Sequence, residues 1–175
     1  MSRLDPQRPT PQAAPRKAPR SALALPVAAL LVALMAGGAA PACAEPVWFG
    51  DSRGETAHLT LGVPGGEEWV LDIACARGSG TLALRTRFGS NGLLPGEPAE
   101  VTLENSRARV VFPGTAVADA PRGAVDVEAR GPLAGLATIV RTNRPFVAAV
   151  KGARYIMSQA GMAEPYAALV AACGG

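Results

Sequence analysis

A single imidazole, His58, limits the chemistry open to this chain. Any acid–base or triad mechanism has to centre on it, since histidine is the one side chain whose ordinary charge change falls near neutral pH. Ser79, Asp51 and Asp72 are the candidates to complete such a constellation. No serine lies in a GxSxG elbow, however, and no spacing ties the three to His58. The period-two pattern puts His58 beside Thr60 on the polar face of a strand, where it reads as an ordinary surface histidine. Carboxylates offer a second chemistry, because Glu67, Glu68 and Asp72 could pair for glycoside cleavage. Adjacent glutamates in a turn are usually solvated, and an aspartate on a central strand wants a cation across the sheet; Arg85 is the expected partner of Asp72. Gly62 to Gly66 is glycine-rich but joins strands and opens no helix, which removes the phosphate-loop reading. No catalytic residue, metal or cofactor is expected.

The three cysteines, Cys43, Cys75 and Cys173, form no CxxC pair and are too scattered for a zinc site. Cys43 lies in a segment with the marks of an export signal, so its removal leaves Cys75 and Cys173. Such a pair is the default disulfide in an oxidising compartment. It would enclose a loop of 98 residues; the chain-entropy argument credits a loop that long with roughly 4–5 kcal/mol at most. Two separate buried thiols are the alternative. Reactive-thiol chemistry has little to draw on, since Arg77 is the sole basic neighbour of either sulfur.

The export signal is read from residues 21 to 44, which carry no charge behind a basic, proline-rich stretch with five prolines in its first twenty residues. Ala22 to Met35 is the apolar core of a secretory signal. Ala42 and Ala44 supply the small residues that a signal peptidase requires before a cut at Glu45. The domain plan is therefore a disordered basic extension over 1–20, a signal peptide over 21–44 and a single secreted domain over 45–175. An uncleaved transmembrane anchor and a lipoprotein acylated at Cys43 are the competing readings; the glycine, alanine and proline of residues 36–41 weaken the first, and the Ala40-Pro41 context weakens the second. The location expected is periplasmic or secreted, with an inner-membrane anchor through the uncleaved leader as the alternative.

The overall charge of +3 belongs to the leader. From Glu45 onward there are 12 basic and 13 acidic residues. A body without a basic excess lacks the electrostatic basis for nucleic-acid binding. One local bias remains: no acid occurs between Glu128 and Glu164, while Arg130, Arg141, Arg144, Lys151 and Arg154 do. Arg141, Arg144, Lys151 and Arg154 are thus the candidate contacts to an anionic partner, such as an envelope polymer, lipid head groups or an acidic protein face. The alternative is a solvated face balanced by acids elsewhere in the fold.

Strands must position these residues. Alternation places Ala57, Leu59, Leu61 and Val63 on one face; Pro64-Gly65-Gly66 turns the chain, and Trp69, Leu71, Ile73 and Cys75 resume the apolar side. Gly78-Ser79-Gly80 leads into Leu82, Leu84 and Thr86. A loop from Gly89 to Pro98 precedes Val101 and Leu103; Ala108, Val110 and Phe112 follow, up to a stop at Pro113-Gly114. Val125, Val127 and Ala129 make a further strand. Leu133 to Val140 suits either a strand or a helix, and Pro145 to Lys151 a short helix with Pro first and Gly152 after it. Arg154 to Met157 reads as an edge strand. Tyr166, Leu169, Val170 and Cys173 fall on one face of a last helix, which can carry Cys173 to Cys75. The fold class expected is mainly β: an antiparallel β-sandwich or open barrel of about six to seven strands with one or two C-terminal helices packed on it.

The strand Leu71-Asp72-Ile73-Ala74-Cys75, the Gly78-Ser79-Gly80 turn, the arginine-decorated β body, the helix Tyr166-Ala167-Ala168-Leu169 ending at Cys173, and Trp48 and Asp51 near the mature start give this chain a layout that resembles small exported proteobacterial proteins. It is similar to type VI secretion-associated periplasmic accessory proteins. The resemblance implies an accessory role without known catalysis. The function expected is a non-enzymatic binding or accessory domain of the envelope. The alternative is an inhibitor of an envelope-degrading enzyme such as lysozyme, inserting the Gly78–Gly80 turn or the Gly89–Pro98 loop.

Overall fold

A computed structural model describes residues 45–174. The export signal, Ala42, Ala44 and the basic extension lie outside the described residues; Glu45 is exposed just ahead of the first strand. Among the described residues, no helix is long and apolar enough to cross a membrane.

The chain is mainly β. Its strands are β1 (Val47–Asp51), β2 (Thr56–Gly62), β3 (Trp69–Ala76), β4 (Thr81–Thr86), β5 (Pro98–Glu104), β6 (Arg109–Asp119), β7 (Ala124–Pro132), β8 (Phe146–Val150) and β9 (Ala153–Met157). Helix α1 (Leu133–Val140) follows β7, and α2 (Ala163–Cys173) ends the described chain. All nine strands join one antiparallel sheet in the order β1-β2-β3-β4-β7-β6-β5-β8-β9. Of the sandwich or open barrel expected, the two-layered sandwich is replaced by a single sheet, and six to seven strands by nine. Of the one or two C-terminal helices expected, α2 is one, and α1 bridges β7 to β8.

The sheet curls into a half-barrel. In a flat sheet β1 and β8 would stand about 34 Å apart, given seven interstrand spacings. Instead the rings of Trp48 and Phe146 lie 6.2 Å apart, and the Trp48 indole N–H donates to the Ser158 carbonyl just past β9 at 2.7 Å. Curling gives one apolar interior, filled by the alternate side chains that period two assigns to it. Leu59, Leu71, Ile73, Leu82, Leu84, Val101, Leu103, Phe112, Val127, Phe146 and Ala148 are all buried. Helix α2 covers the β1–β3 part of that interior and α1 the β5–β7 part, with Leu136, Ile139 and Leu169 pointing in.

Three local expectations change. Phe146–Val150 is a strand, not the helix expected over Pro145 to Lys151: its burial alternates in period two, and Pro145 merely precedes it. Strand β6 does not stop at Pro113-Gly114. It pairs with β5 through Thr115 and with β7 from Gly114 onward, so Pro113 falls before the β7 ladder begins, where a missing N–H is tolerated. A Cβ at Gly114 would collide with the Glu128 carbonyl oxygen, and glycine is what lets the strand change partners there. Leu133 to Val140 is helical. Its Gly135, with Gly131 of β7, makes room for the Phe112 ring.

The disulfide between Cys75 and Cys173 is formed, with their Cα atoms 6.0 Å apart. The amides of Gly78 and Gly80 donate to the carbonyls of Ala172 and Cys173, both at 2.9 Å. The turn after β3 thus caps the last carbonyls of α2, which an ordinary helix end leaves open.

Candidate functional site

His58 and Asp72 meet on the outer face of the sheet. The register pairs Thr60 with Asp72 and His58 with Ala74, so Asp72 is within reach of both polar side chains of β2. Thr60 Oγ1 donates to Asp72 at 2.6 Å, and His58 Nδ1 lies 3.2 Å from the other carboxylate oxygen. The hydroxyl is therefore spent on the carboxylate, not on the imidazole, and no nucleophile–base couple results. Ser79 bonds the Thr81 carbonyl. Asp51 pairs with Arg53 at 3.0 Å, whose hydrogen bonds hold its carboxyl below the usual range. The expected Asp72–Arg85 pair does not form. The two are direct cross-strand neighbours, but Arg85 turns to Glu128 on its other side, 3.2 Å away. Glu67 and Glu68 remain exposed in the β2–β3 turn.

A second charged group closes the end of β6. Arg122 Nη1 lies 3.2 Å from both Asp119 and Asp126, and Arg87 joins Asp119 while lying over the Trp69 ring. Asp126 is 1% exposed and accepts the Gly89 amide at 2.9 Å. Burial pushes its carboxyl up, against that amide and Arg122. Burial also pushes Asp119 up, but the hydrogen bonds and charge of Arg122, with the charge of Arg87, outweigh it and leave that carboxyl below its ordinary value. This network pins the start of the Gly89–Pro98 loop, which Ser90 fastens further through the Val125 carbonyl. No signal in the linear sequence marked it, since Arg87, just past β4, and Asp119, at the end of β6, are more than thirty positions apart.

The basic segment divides in two. Arg154 is neutralised: Glu104 takes it at 2.7 Å and also reaches Arg109 at 3.5 Å. Lys151 donates to the Gly92 carbonyl at 2.8 Å. Both line a cleft of about 690 Å³ across β5, β8 and the Gly89–Pro98 loop. Arg141 and Arg144, by contrast, are exposed in the loop between α1 and β8. The Asn105 side-chain amide donates to Thr142 Oγ1 at 2.8 Å, which fastens the β5–β6 turn to this loop and brings the exposed Arg107 to the same end of the sheet. Among the described residues, none of Arg107, Arg141 and Arg144 makes an ion pair. Arg141 also lies close enough to Tyr166 to oppose the upward push that burial gives its phenol. Sequence reading found Arg141 and Arg144 but missed Arg107, because the Asn105–Thr142 contact that joins their loops links residues 37 positions apart.

Comparison with family models, with curated proteins and with solved structures finds no match. The likeness in layout to secretion accessory proteins receives no support from them.

Proposed function

We propose that this chain is an exported, non-enzymatic binding domain that docks on an anionic surface of the cell envelope through the arginine-rich end of its sheet. One observation carries the reading: the Asn105–Thr142 hydrogen bond gathers Arg107, Arg141 and Arg144 at one end, with no ion-pair partner among the described residues. Three exposed guanidinium groups held on two joined loops favour phosphate-bearing head groups, which they can meet in bidentate fashion. Each cation near such a surface contributes on the order of 1 kcal/mol. The disulfide and the leader-like segment support export, and the commitment of the Thr60 hydroxyl to Asp72 instead of His58 supports binding over catalysis. Sedimentation with phosphatidylglycerol vesicles tests this. The domain is expected to pellet with them, to stay in solution with phosphatidylcholine vesicles, and to lose most of its binding with Arg107, Arg141 and Arg144 changed to Glu. Equal sedimentation of the triple variant rejects the reading.

A second reading, inhibition of an envelope-degrading enzyme such as lysozyme, draws on Leu94, which is 67% exposed in the Gly89–Pro98 loop. The Gly78–Gly80 turn is the weaker inserting element, since its amides are spent on α2. A muramidase assay decides: the domain inhibits and Leu94→Asp relieves the inhibition, or this reading falls.

A further inference from the structure

A trough of about 410 Å³ crosses β3, β4, β7 and β6 on the outer face of the sheet, and Arg107, Arg141 and Arg144 of the basic end do not line it. Its shape follows from register. One cross-strand row runs Thr60, Asp72, Arg85, Glu128, Thr115 over five adjacent strands. The next row runs His58, Ala74, Ala83, Arg130. Arg85 and Glu128 in the first row stand as a wall, and the two alanine methyls in the second lie between His58, outside the lining, and Arg130 within it. Those two residues are three interstrand spacings apart, about 14 Å.

The charges of the trough are nearly all spent. Asp72 is taken by Thr60 and His58, and Arg85 and Glu128 take each other. Arg130 is exposed and, among the described residues, in no ion pair. A concave site of this size with one uncommitted guanidinium is complementary to a small anion. We infer that the trough binds the free carboxyl end of a short peptide. The carboxylate pairs with the Arg130 fork in two parallel hydrogen bonds. Small side chains fit the Ala74 and Ala83 floor, and the half-exposed Glu128 carboxylate is placed to accept a peptide N–H. Among the described residues no aromatic ring lines the trough, so they offer no flat platform for a sugar ring to stack on.

Trialanine and its C-terminal amide, titrated into isotope-labelled protein and followed by amide chemical shifts, test the assignment. Trialanine is expected to shift Ala83, Gly114 and Arg130 and its amide to leave them in place. Arg130→Gln is expected to weaken binding at least tenfold and Arg130→Lys to keep part of it. Ala83→Phe, which fills the floor from an exterior position, is expected to block binding with the thermal midpoint retained. The triple Glu variant of the basic end is expected to bind trialanine normally, so the two proposals fail separately. Equal shifts with the amide, unchanged affinity in Arg130→Gln, or no shift at millimolar trialanine overturns the inference.

Discussion

Asp119 and Asp126 share one guanidinium yet are displaced in opposite directions, so their contributions to stability run against each other with pH. Asp119 lies below its ordinary value. Its share of stability is complete above the unfolded carboxyl value, about 3.9, and is lost as pH falls through the lower folded value. Asp126 lies above its ordinary value; its share is present below the unfolded value and is lost as pH rises through the folded one. In urea unfolding between about pH 2.5 and 7, Asp119→Asn is expected to show a shallower acid-side decline than wild type. Asp126→Asn is expected to gain on wild type as pH rises above about 4. An Asp126→Asn variant that loses ground to wild type, or keeps a constant difference from it, as pH rises would show that burial of the Asp126 charge is not the controlling cost. At this scale the sequence was legible where chemistry is local and opaque where it is not. Alternation placed His58 and Thr60 on one polar face, and the meander placed Arg85 opposite Asp72. What could not be read was the second neighbour of Arg85: β7 lies beside β4 after two strands have intervened, and its Glu128 is the stronger claimant.

Helix α2 is held by three devices at one end: the Cys75–Cys173 bond, the Gly78 and Gly80 amides on its last carbonyls, and the buried Leu169 and Ala172. Purified domain treated with an alkylating agent in denaturant is expected to show no reactive thiol at either position until reductant is added. Reduction is expected to cost on the order of 2–5 kcal/mol of stability and to raise binding of an apolar dye as α2 loosens. Full alkylation without reductant, or an unchanged unfolding midpoint, removes the staple from the account. This pairing was readable because two independent periodicities, 2 on β3 and 3.6 on α2, each turned its cysteine inward. Strand β8 was misread for an equally physical reason: a proline before and a glycine after Phe146–Val150 mimic helix ends. The alternation of Phe146, Ala148 and Val150 against Val147 and Ala149 outweighs them once β5 and β9 stand on either side. Pro113 likewise looked like a stop because its consequence depends on which neighbour requires its N–H.

For the molecule as a whole, individual strands were visible and their assembly was not. Period two says which face a strand buries but not which strand lies next to it. The two non-sequential neighbours in the sheet, β4 with β7 and β5 with β8, decide between two layers and one curled layer. The indole of Trp48 reaches across 110 positions of chain to the Ser158 carbonyl, and the opening strands are roofed by the closing helix. A nascent polypeptide emerging from the ribosome therefore lacks the cover of β1–β3 until α2 has been synthesised. Contacts that distant form slowly. The export proposed above would draw on this delay: an unfinished polymer is loose enough to be threaded through a narrow pore, and would tighten once its tail had followed its head.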